Sequence, residues 1–199
     1  MKANLVIAGV GGQGTVLAAK LVARAAMAAG LAVRSSETIG MAQRGGSVVS
    51  HVRISDVPIA SPLMPPGAAD TILGFEPGEA VRCLPLLRPG GTVVVNAHTV
   101  APVSAALSNT EYSGPAMIDF LGRCGCRLIV IDGDAICAEV GSPKVLNVAL
   151  IGAAAAAGAL GLPLEQMEAA LRKSLRPKLV DMNIQALHAG ARAAAKGEQ

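Results

Sequence analysis

The chain has almost no aromatic side chains: its 199 residues include two Phe, one Tyr and no Trp. Proteins that bind single-stranded nucleic acid stack the bases on aromatic rings, so this scarcity argues against that class of function. The net charge of +3 is small and the basic residues are scattered, so we expect no nucleic-acid partner. The core must be built from Val, Leu, Ile and Ala, which is typical of sheets covered by helices on both faces.

Cysteine is also scarce, with four residues in the chain. Cys124 and Cys126 are separated by one residue, whereas zinc sites and ferredoxin-type clusters use wider spacings such as CxxC. We therefore expect this chain alone to bind no metal ion and no iron–sulfur cluster. Together with Cys83 and Cys137, these residues are expected to be reduced thiols of a cytoplasmic protein.

Long uninterrupted apolar runs are missing as well. The longest apolar stretch, 145–164, contains Asn147, several glycines and Pro163, and its middle is mostly alanine. A buried helix is expected there rather than a membrane span. The apolar run at the N-terminus is short and continues into a strand pattern, so we expect neither a secretory signal nor a membrane partner.

Motifs that would identify a catalytic centre are absent from the sequence. It contains no nucleophile elbow, no phosphate-loop lysine and no HExxH. His51, His98 and His188 are isolated, and none has an obvious acidic or nucleophilic partner along the chain. We therefore predict no catalytic residue in this chain.

A glycine-rich motif follows an apolar run at residues 5–8. Its sequence is Gly9-Val10-Gly11-Gly12-Gln13-Gly14, and an Ala- and Leu-rich stretch at 15–26 then predicts a helix. A strand, a glycine turn and a helix in this order open a βαβ unit of the Rossmann type. The first-turn amides of the helix would face outward at the positive end of its dipole, where an anion such as a phosphate could bind.

Each glycine of this motif is expected to have its own role. Gly9 would allow the tight turn after the strand, Gly11 would let a ligand approach the backbone, and Gly14 would let the helix pack close to the sheet. A turn that serves only packing or a subunit contact is the alternative. A dinucleotide would also need an acidic residue after the second strand, predicted at 31–35, and the nearest is Glu37.

A second informative stretch covers residues 37–55. From Ser47 onward apolar and polar residues alternate, which predicts a strand with one half-polar face. Gln43 and Arg44 precede it on a glycine-flanked loop that could bind an anion or contact a partner, and a solvated loop is the alternative. The proline-rich segment 57–67 predicts an extended connector, either a flexible lid or a packed arm.

The remaining pattern alternates strands and helices. Further strands are predicted at 70–75, 92–96 and 127–132, helices at about 76–87, 115–122, 143–159, 163–174 and 177–195, and mostly loop at 97–114. Asp132 and Asp134 follow the last strand, where helix capping is favoured over metal binding.

The fold class predicted from these elements is α/β. We predict a single domain, 1–199, in which residues 1–142 form a Rossmann-like, mostly parallel sheet covered by helices on both faces. The helical C-terminal segment, 143–199, is expected to pack across the sheet edge or against another subunit.

Three of these stretches, taken together, resemble the gamma-type domain of the 2-oxoacid:ferredoxin oxidoreductases. They are GVGGQG at the start of the chain, ETIGMAQRGGSVVSHVRIS, and ADTILGFEPGEAVR. The resemblance is strong over the first half of the chain and rests on length and layout in the helical remainder. Within this family, which also serves pyruvate, ketoisovalerate and oxoglutarate, the chain is most similar to the indolepyruvate enzymes.

The resemblance implies a non-metal subunit of a complex that oxidatively decarboxylates indolepyruvate and other arylpyruvates to aryl-acetyl-CoA. Electrons would pass to ferredoxin, thiamine diphosphate and the iron–sulfur clusters would lie on the alpha subunit, and coenzyme A would be a co-substrate. The isolated chain would be inactive and could form a homodimer. The residues that could contact coenzyme A, another anion or the partner are Gly9, Gly11, Gly12, Gln13, Gly14, Gln43 and Arg44.

Two other functions agree with the same residues. A stand-alone Rossmann protein that binds NAD(P) or a flavin would need Glu37 on the ribose hydroxyls. A purely structural subunit would leave the glycine loop without a ligand.

Overall fold

The computed structural model describes residues 2–37, 40–101 and 112–197. The described strands are β1 (Lys2–Val10), β2 (Ala32–Glu37), β3 (Ser47–Ser55), β4 (Ala69–Gly74), β5 (Leu87–Asn96) and β6 (Arg127–Ile131). The described α-helices are α1 (Thr15–Ala28), α2 (Pro77–Cys83), α3 (Gly114–Gly122), α4 (Gly133–Val140), α5 (Leu146–Ala156), α6 (Leu164–Ser174) and α7 (Pro177–Ala194). Short 3₁₀ turns cover Gly40–Gln43, Leu84–Leu86 and Pro143–Val145.

The strands form one sheet in the order β2-β3-β1-β4-β5-β6. β1, β4, β5 and β6 are parallel, whereas β3 pairs antiparallel with both β1 and β2. The predicted mostly parallel α/β sheet is therefore confirmed, with one reversed strand inside it. β3 pairs with β1 from Ser55 opposite Lys2 to Ser47 opposite Val10, and thereby separates β1 from β2.

Helices cover both faces of the sheet, as predicted. On one face, α1 and the C-terminal helices bury the larger apolar cluster, which includes Leu5, Ile7 and Val94 of the strands. On the other face, α2 and α3 cover a smaller cluster that includes Val6 and Val95. This division follows from strand geometry, because successive side chains point to opposite faces.

The C-terminal helices complete the larger cluster and reach the sheet edge. α5 is buried along most of its length, as expected for the alanine-rich stretch, and it packs against α7. The Val130 amide of the edge strand β6 donates to the Gly197 carbonyl at 2.9 Å, so the segment just after α7 lies against that edge, as predicted for the C-terminal segment. In the described ranges of the chain, no helix is both long and apolar enough to cross a membrane.

Some predicted boundaries differ from the structure. The predicted helix 76–87 is shorter, because α2 ends at Cys83 and a 3₁₀ turn follows. β5 begins at Leu87 rather than 92, because Leu87 pairs with Ala69 of β4; residues 88–91 then form an irregularity before regular pairing resumes at Thr92. The helix implied by the capping predicted at Asp132 is α4, although its bounds were not predicted, and most of the predicted loop 97–114 lies outside the described residues.

The proline-rich connector is a packed arm rather than a flexible lid. Arg53 donates to the Ser61 carbonyl at 3.0 Å, and Arg34 donates to the Ile59 carbonyl at 3.3 Å. His51 Nδ1 accepts the Met64 amide at 3.0 Å, and Met64 itself is buried. Side chains of β2 and β3 therefore hold the arm on the sheet.

Candidate functional site

The glycine motif forms the loop between β1 and α1, at the carboxyl edge of the parallel strands. Gly12 and Gly14 have φ angles of 104° and 91°, in the left-handed region that favours glycine. A β-carbon on Gly9 would lie 2.7 Å from Gln13 Oε1 and 2.8 Å from Phe75 Cβ. The structure therefore corrects the expected roles: Gly9 permits close packing, and Gly14 makes the turn into the helix.

The backbone amides of this loop differ in their availability to a ligand. The Gly11 amide donates to the Gly46 carbonyl at 2.8 Å, so it is already engaged. The amides of Gly12 and Gly14 donate to no acceptor among the described residues. The first amides of α1, beginning at Thr15, have no intrahelical acceptor by helix geometry. An anion would therefore meet Gly12, Gly14 and the first turn of α1 rather than the amide of Gly11.

Gln13 is used inside the loop. Its Oε1 accepts the Val10 amide at 2.7 Å, and its Nε2 donates to the Phe75 carbonyl at 3.4 Å. Because both ends of its amide are engaged, Gln13 joins the end of β1 to the segment after β4. This geometry suits a structural role for its side chain.

The loop that carries Gln43 and Arg44 lies beside the glycine loop. The bond between Gly11 and Gly46 joins the glycine loop to the loop that carries Arg44. The Arg44 side chain is exposed and makes no ion pair with any described residue. Thr38, Ile39 and the side chain of Gln43 lie outside the described structure.

A cleft of about 380 Å³ opens at the glycine loop. Its lining residues are Gly11, Gly12, Gly14, Thr15, Val16, Leu17, Lys20 and Val48. Three of the predicted site residues therefore line this cleft, whereas Gly9, Gln13 and Arg44 do not. Lys20 was not predicted as a site residue, although it lies four residues after Val16 and therefore on the same face of α1 as that other lining residue.

The cleft combines positive electrostatic potential with apolar surface. It lies at the N-terminus of α1, whose first turn contains no acidic residue and whose dipole is positive there. Lys20 adds a formal positive charge, and Leu17 is 46% exposed beside it. Such a site suits a phosphate-bearing ligand that also has an apolar portion.

Two buried carboxylates lie next to this loop, at the start of α2. Glu76 accepts the Glu79 amide at 3.0 Å and caps the helix, and the Tyr112 hydroxyl donates to Glu76 at 2.5 Å. The Ser47 hydroxyl donates to Glu79 at 2.5 Å. Burial, followed by the Glu76 contact, raises the pKa of Tyr112, which therefore remains a neutral donor. Sequence reasoning did not find this cluster, because Ser47 and Glu79 are far apart along the chain.

Two histidines have acidic partners that the sequence did not reveal. His98 Nδ1 lies 2.6 Å from Asp134 Oδ2, and His188 Nε2 lies 3.0 Å from Glu168 Oε2. Both pairs join residues that are distant in sequence, which explains why neither partner is obvious along the chain. The His98–Asp134 pair is solvent-exposed, where ion pairs contribute little stability, and the His188–Glu168 pair is partly buried.

The aspartates after β6 act as helix residues. Asp132 accepts the Ala135 amide at 2.9 Å and caps α4, which confirms the predicted capping. Within residues 2–37, 40–101 and 112–197, no three His, Cys, Asp or Glu side chains are grouped as metal ligands would be.

Glu37 does not lie where a dinucleotide site would need it. The acidic residue of such sites ends the strand adjacent to β1. Here β2 carries Glu37 at the sheet edge, and β3 lies between β2 and β1. Two strand spacings, about 10 Å, therefore separate the ends of β2 and β1. This topology disfavours the nicotinamide interpretation of the glycine loop.

The fold and the loop define a Rossmann-like domain whose glycine turn opens onto an electropositive cleft. Residues 4–193 match the family described as Pyruvate ferredoxin/flavodoxin oxidoreductase, and the chain belongs to this family. A relative from Archaeoglobus fulgidus, Indolepyruvate oxidoreductase subunit IorB, is 38% identical over 99% of this chain and 98% of its own. The Pyruvate/ketoisovalerate oxidoreductases common subunit gamma of Thermococcus kodakarensis is 29% identical over 89% of each chain.

Solved structures share the fold. The gamma subunit of a keto/oxoacid ferredoxin oxidoreductase from Geobacter sulfurreducens has a TM-score of 0.76 and 23% identity, covering 100% of this chain and 99% of that one. A 2-oxoglutarate:ferredoxin oxidoreductase from Magnetococcus marinus, solved with 2-oxoglutarate, coenzyme A and succinyl-CoA bound, has a TM-score of 0.75 and 17% identity. The match covers 98% of this chain but only 31% of the Magnetococcus marinus chain, so in that protein the domain belongs to a longer polypeptide.

Proposed function

We propose that this protein is the non-metal subunit of an indolepyruvate:ferredoxin oxidoreductase. The observation that carries this proposal is the identity to relatives. Four IorB subunits are 34–38% identical over 96–99% of this chain. The gamma subunits that serve pyruvate and ketoisovalerate are 28–29% identical over 89%. This difference favours indolepyruvate and other arylpyruvates as the 2-oxoacid.

The proposed reaction consumes an arylpyruvate and coenzyme A and yields carbon dioxide and an aryl-acetyl-CoA. Two electrons pass to ferredoxin, one to each of two molecules, and one proton is released. The alpha subunit would bind thiamine diphosphate and the iron–sulfur clusters, which supply decarboxylation and electron transfer. This chain would bind neither, and the complex would be cytoplasmic.

The proposed contribution of this chain is to bind coenzyme A. The amides at Gly12, Gly14 and the first turn of α1 would donate to phosphate oxygens, because they lie at a positive helix end and have no acceptor among the described residues. Lys20 would neutralise a second phosphate charge, and Leu17 would contact methyl and methylene groups of the pantetheine arm. The Magnetococcus marinus enzyme, whose longer polypeptide contains the related domain, was solved with coenzyme A bound, which supports the choice of ligand.

The proposed partner surface lies on the adjacent loop. Met41 is 75% exposed and Arg44 is exposed beside it. An exposed methionine next to an arginine with no ion pair in the described structure is typical of protein interfaces, which are enriched in both residue types. The alpha subunit would cover this surface, whereas in the isolated chain it could support a homodimer.

Reconstitution tests the proposed function. The isolated chain should be inactive, and adding the alpha subunit should give indolepyruvate- and coenzyme-A-dependent reduction of a viologen dye. Its kcat/KM for indolepyruvate should exceed that for pyruvate or ketoisovalerate. A preference for pyruvate would contradict the substrate assignment. Oxidation of an arylpyruvate by the isolated chain, or NADH-dependent reduction of a substrate, would contradict the subunit assignment.

A titration of the isolated chain tests the proposed site. Coenzyme A should bind to the isolated chain. Adenosine should displace it less effectively than ADP does, because phosphate contacts carry the affinity. Lys20→Ala should weaken binding, whereas Lys178→Ala, a change at an exposed lysine near the start of α7, should not. Tighter binding of NADH than of coenzyme A would favour the stand-alone dinucleotide protein.

A further inference from the structure

The buried acidic side chains of the described residues are concentrated at one place, the start of α2. Glu76 and Glu79 are 1% and 5% exposed. Burying a carboxylate is costly unless its oxygens are hydrogen-bonded, so the partners of these two side chains are informative.

The partners join three separate segments. Glu76 is held by the Tyr112 hydroxyl and by the Glu79 amide. Glu79 in turn accepts the Ser47 hydroxyl at 2.5 Å, and Arg82 lies 3.6 Å from its other oxygen. The network therefore ends at Ser47, the first residue of β3.

Ser47 occupies a position that affects both loops of the site. It pairs with Val10 at the end of β1, just before the glycine turn. Its neighbour Gly46 accepts the Gly11 amide at 2.8 Å and donates to the Ala42 carbonyl at 2.9 Å. A shift of Ser47 would therefore move the acceptor of Gly11 and the base of the loop that carries Arg44.

We propose that Ser47 and Glu79 are a positioning pair that holds the glycine loop in its anion-binding geometry. Glu79 fixes the Ser47 hydroxyl, Ser47 fixes Gly46, and the Gly46 carbonyl fixes the Gly11 amide. Glu76 and Tyr112 keep Glu79 in place. The expected effect of this pair on coenzyme A binding rests on the proposed function, whereas its effect on the geometry of the glycine loop does not.

A buried hydrogen bond with a purely structural role provides the matched control. The Thr71 hydroxyl, 1% exposed, donates to the Ala159 carbonyl at 2.7 Å. Thr71 lies in β4 opposite Leu5, away from the glycine turn. Thr71→Val removes one partly buried hydroxyl hydrogen bond, as Ser47→Ala does, without touching either loop.

The experiment measures hydrogen exchange at the Gly11 amide of the full chain by NMR. In Ser47→Ala this amide should exchange about tenfold faster than in the wild type, because the support for its acceptor is lost. Ser47→Thr keeps the hydroxyl and should restore slow exchange, and Thr71→Val should leave the Gly11 amide unchanged. In the reconstituted complex, Ser47→Ala should raise the KM for coenzyme A about tenfold with kcat retained.

If the Gly11 amide exchanged equally faster in Ser47→Ala and in Thr71→Val, the proposal would be overturned, because this would indicate a general loss of stability. Unchanged exchange in a folded Ser47→Ala would also overturn it. If circular dichroism shows that Ser47→Ala is unfolded, Glu79→Gln replaces it: the weaker, uncharged acceptor should give about threefold faster exchange, and no change would overturn the proposal. Failure of the wild type to bind coenzyme A would contradict the proposed function alone, since exchange is measured without ligand.

Discussion

Gly152 of α5 and Leu187 of α7 are in direct backbone contact: a β-carbon on Gly152 would overlap the Leu187 carbonyl oxygen. The relationship is repeated nearby, since a β-carbon on Gly190 would overlap the Ala149 carbonyl oxygen. The two helices therefore pack with their backbones touching, and only glycine fits at these two positions.

Gly152→Ala should destabilise the protein by about 2–3 kcal/mol, because overpacking at a backbone contact forces α5 and α7 apart. Chemical denaturation monitored by circular dichroism measures this change. Gly122→Ala is the control: its new β-carbon would meet only Leu128 Cδ2 at 3.8 Å. That variant should be neutral or slightly more stable, since alanine favours helix over glycine. Similar losses in both variants would mean that the helix contact is not the cause.

Gly12→Ala should weaken coenzyme A binding at least tenfold, because alanine would be strained in the left-handed conformation of Gly12 and would displace the loop of the proposed site. The φ of Gly12 is 104°, and a β-carbon on it would have no atom of the described residues within 4 Å, so the strain is conformational. Gly30→Ala is a matched control, with a φ of 77° and equally open surroundings at the other end of α1. Both variants should lose about 1 kcal/mol of stability. Isothermal titration should show weaker binding for Gly12→Ala alone.

Arg44→Ala should weaken association with the alpha subunit more than it lowers the melting temperature. Its guanidinium makes no ion pair within the described structure, so removing it costs the free chain little. As an interface residue it should contribute about 2 kcal/mol to association. Arg176→Ala, at another exposed arginine, should leave association unchanged. Equal subunit affinity for wild type and Arg44→Ala, by analytical ultracentrifugation, would exclude this loop as an important contact.

The connector should loosen in acid, because its hydrogen bond to His51 requires a neutral imidazole. Burial lowers the pKa of His51 below its ordinary value of 6.5. The unfolded chain thus binds this proton more readily, so the stability that His51 provides is complete above pH 6.5 and is lost as the pH falls through the lowered pKa. Between pH 7.5 and 5 the melting temperature should fall more in wild type than in His51→Gln, whose amide oxygen accepts the Met64 amide without titrating. Equal decreases in melting temperature for the two proteins would exclude His51 as the titrating group.

Local patterns were sufficient to predict the elements at the site. The apolar run before Gly9 and the Ala-rich run after Gly14 specify strand, turn and helix through short-range geometry. The alternation from Ser47 onward correctly predicted a strand with a half-polar face. Such alternation is also typical of antiparallel strands, and β3 is the one antiparallel strand of the described sheet.

Features that depend on distant residues were not accessible from the sequence. Contacts between distant segments decide which strand lies beside β1. They also decide which acidic residue pairs with His98 and which with His188. Glu79 and Ser47 are 32 residues apart, and no local period connects them. The early start of β5 has the same origin, because it depends on the pairing of Leu87 with Ala69 of β4 across an irregularity that contains Pro89 and Gly90.

The position of β3 has a consequence for the order in which the chain can fold. In an ordinary βαβ unit the first strand, helix and second strand can associate as soon as they are made. Here β1 has no neighbour in the described sheet until residues 47–55 arrive, because β3 and β4 are its two partners. A ribosome-bound chain that ends before β3 would have the whole glycine motif but not the carbonyl of Gly46 that holds it. The glycine loop can therefore reach its final geometry only after β3 has been made, although the loop lies close to the start of the sequence.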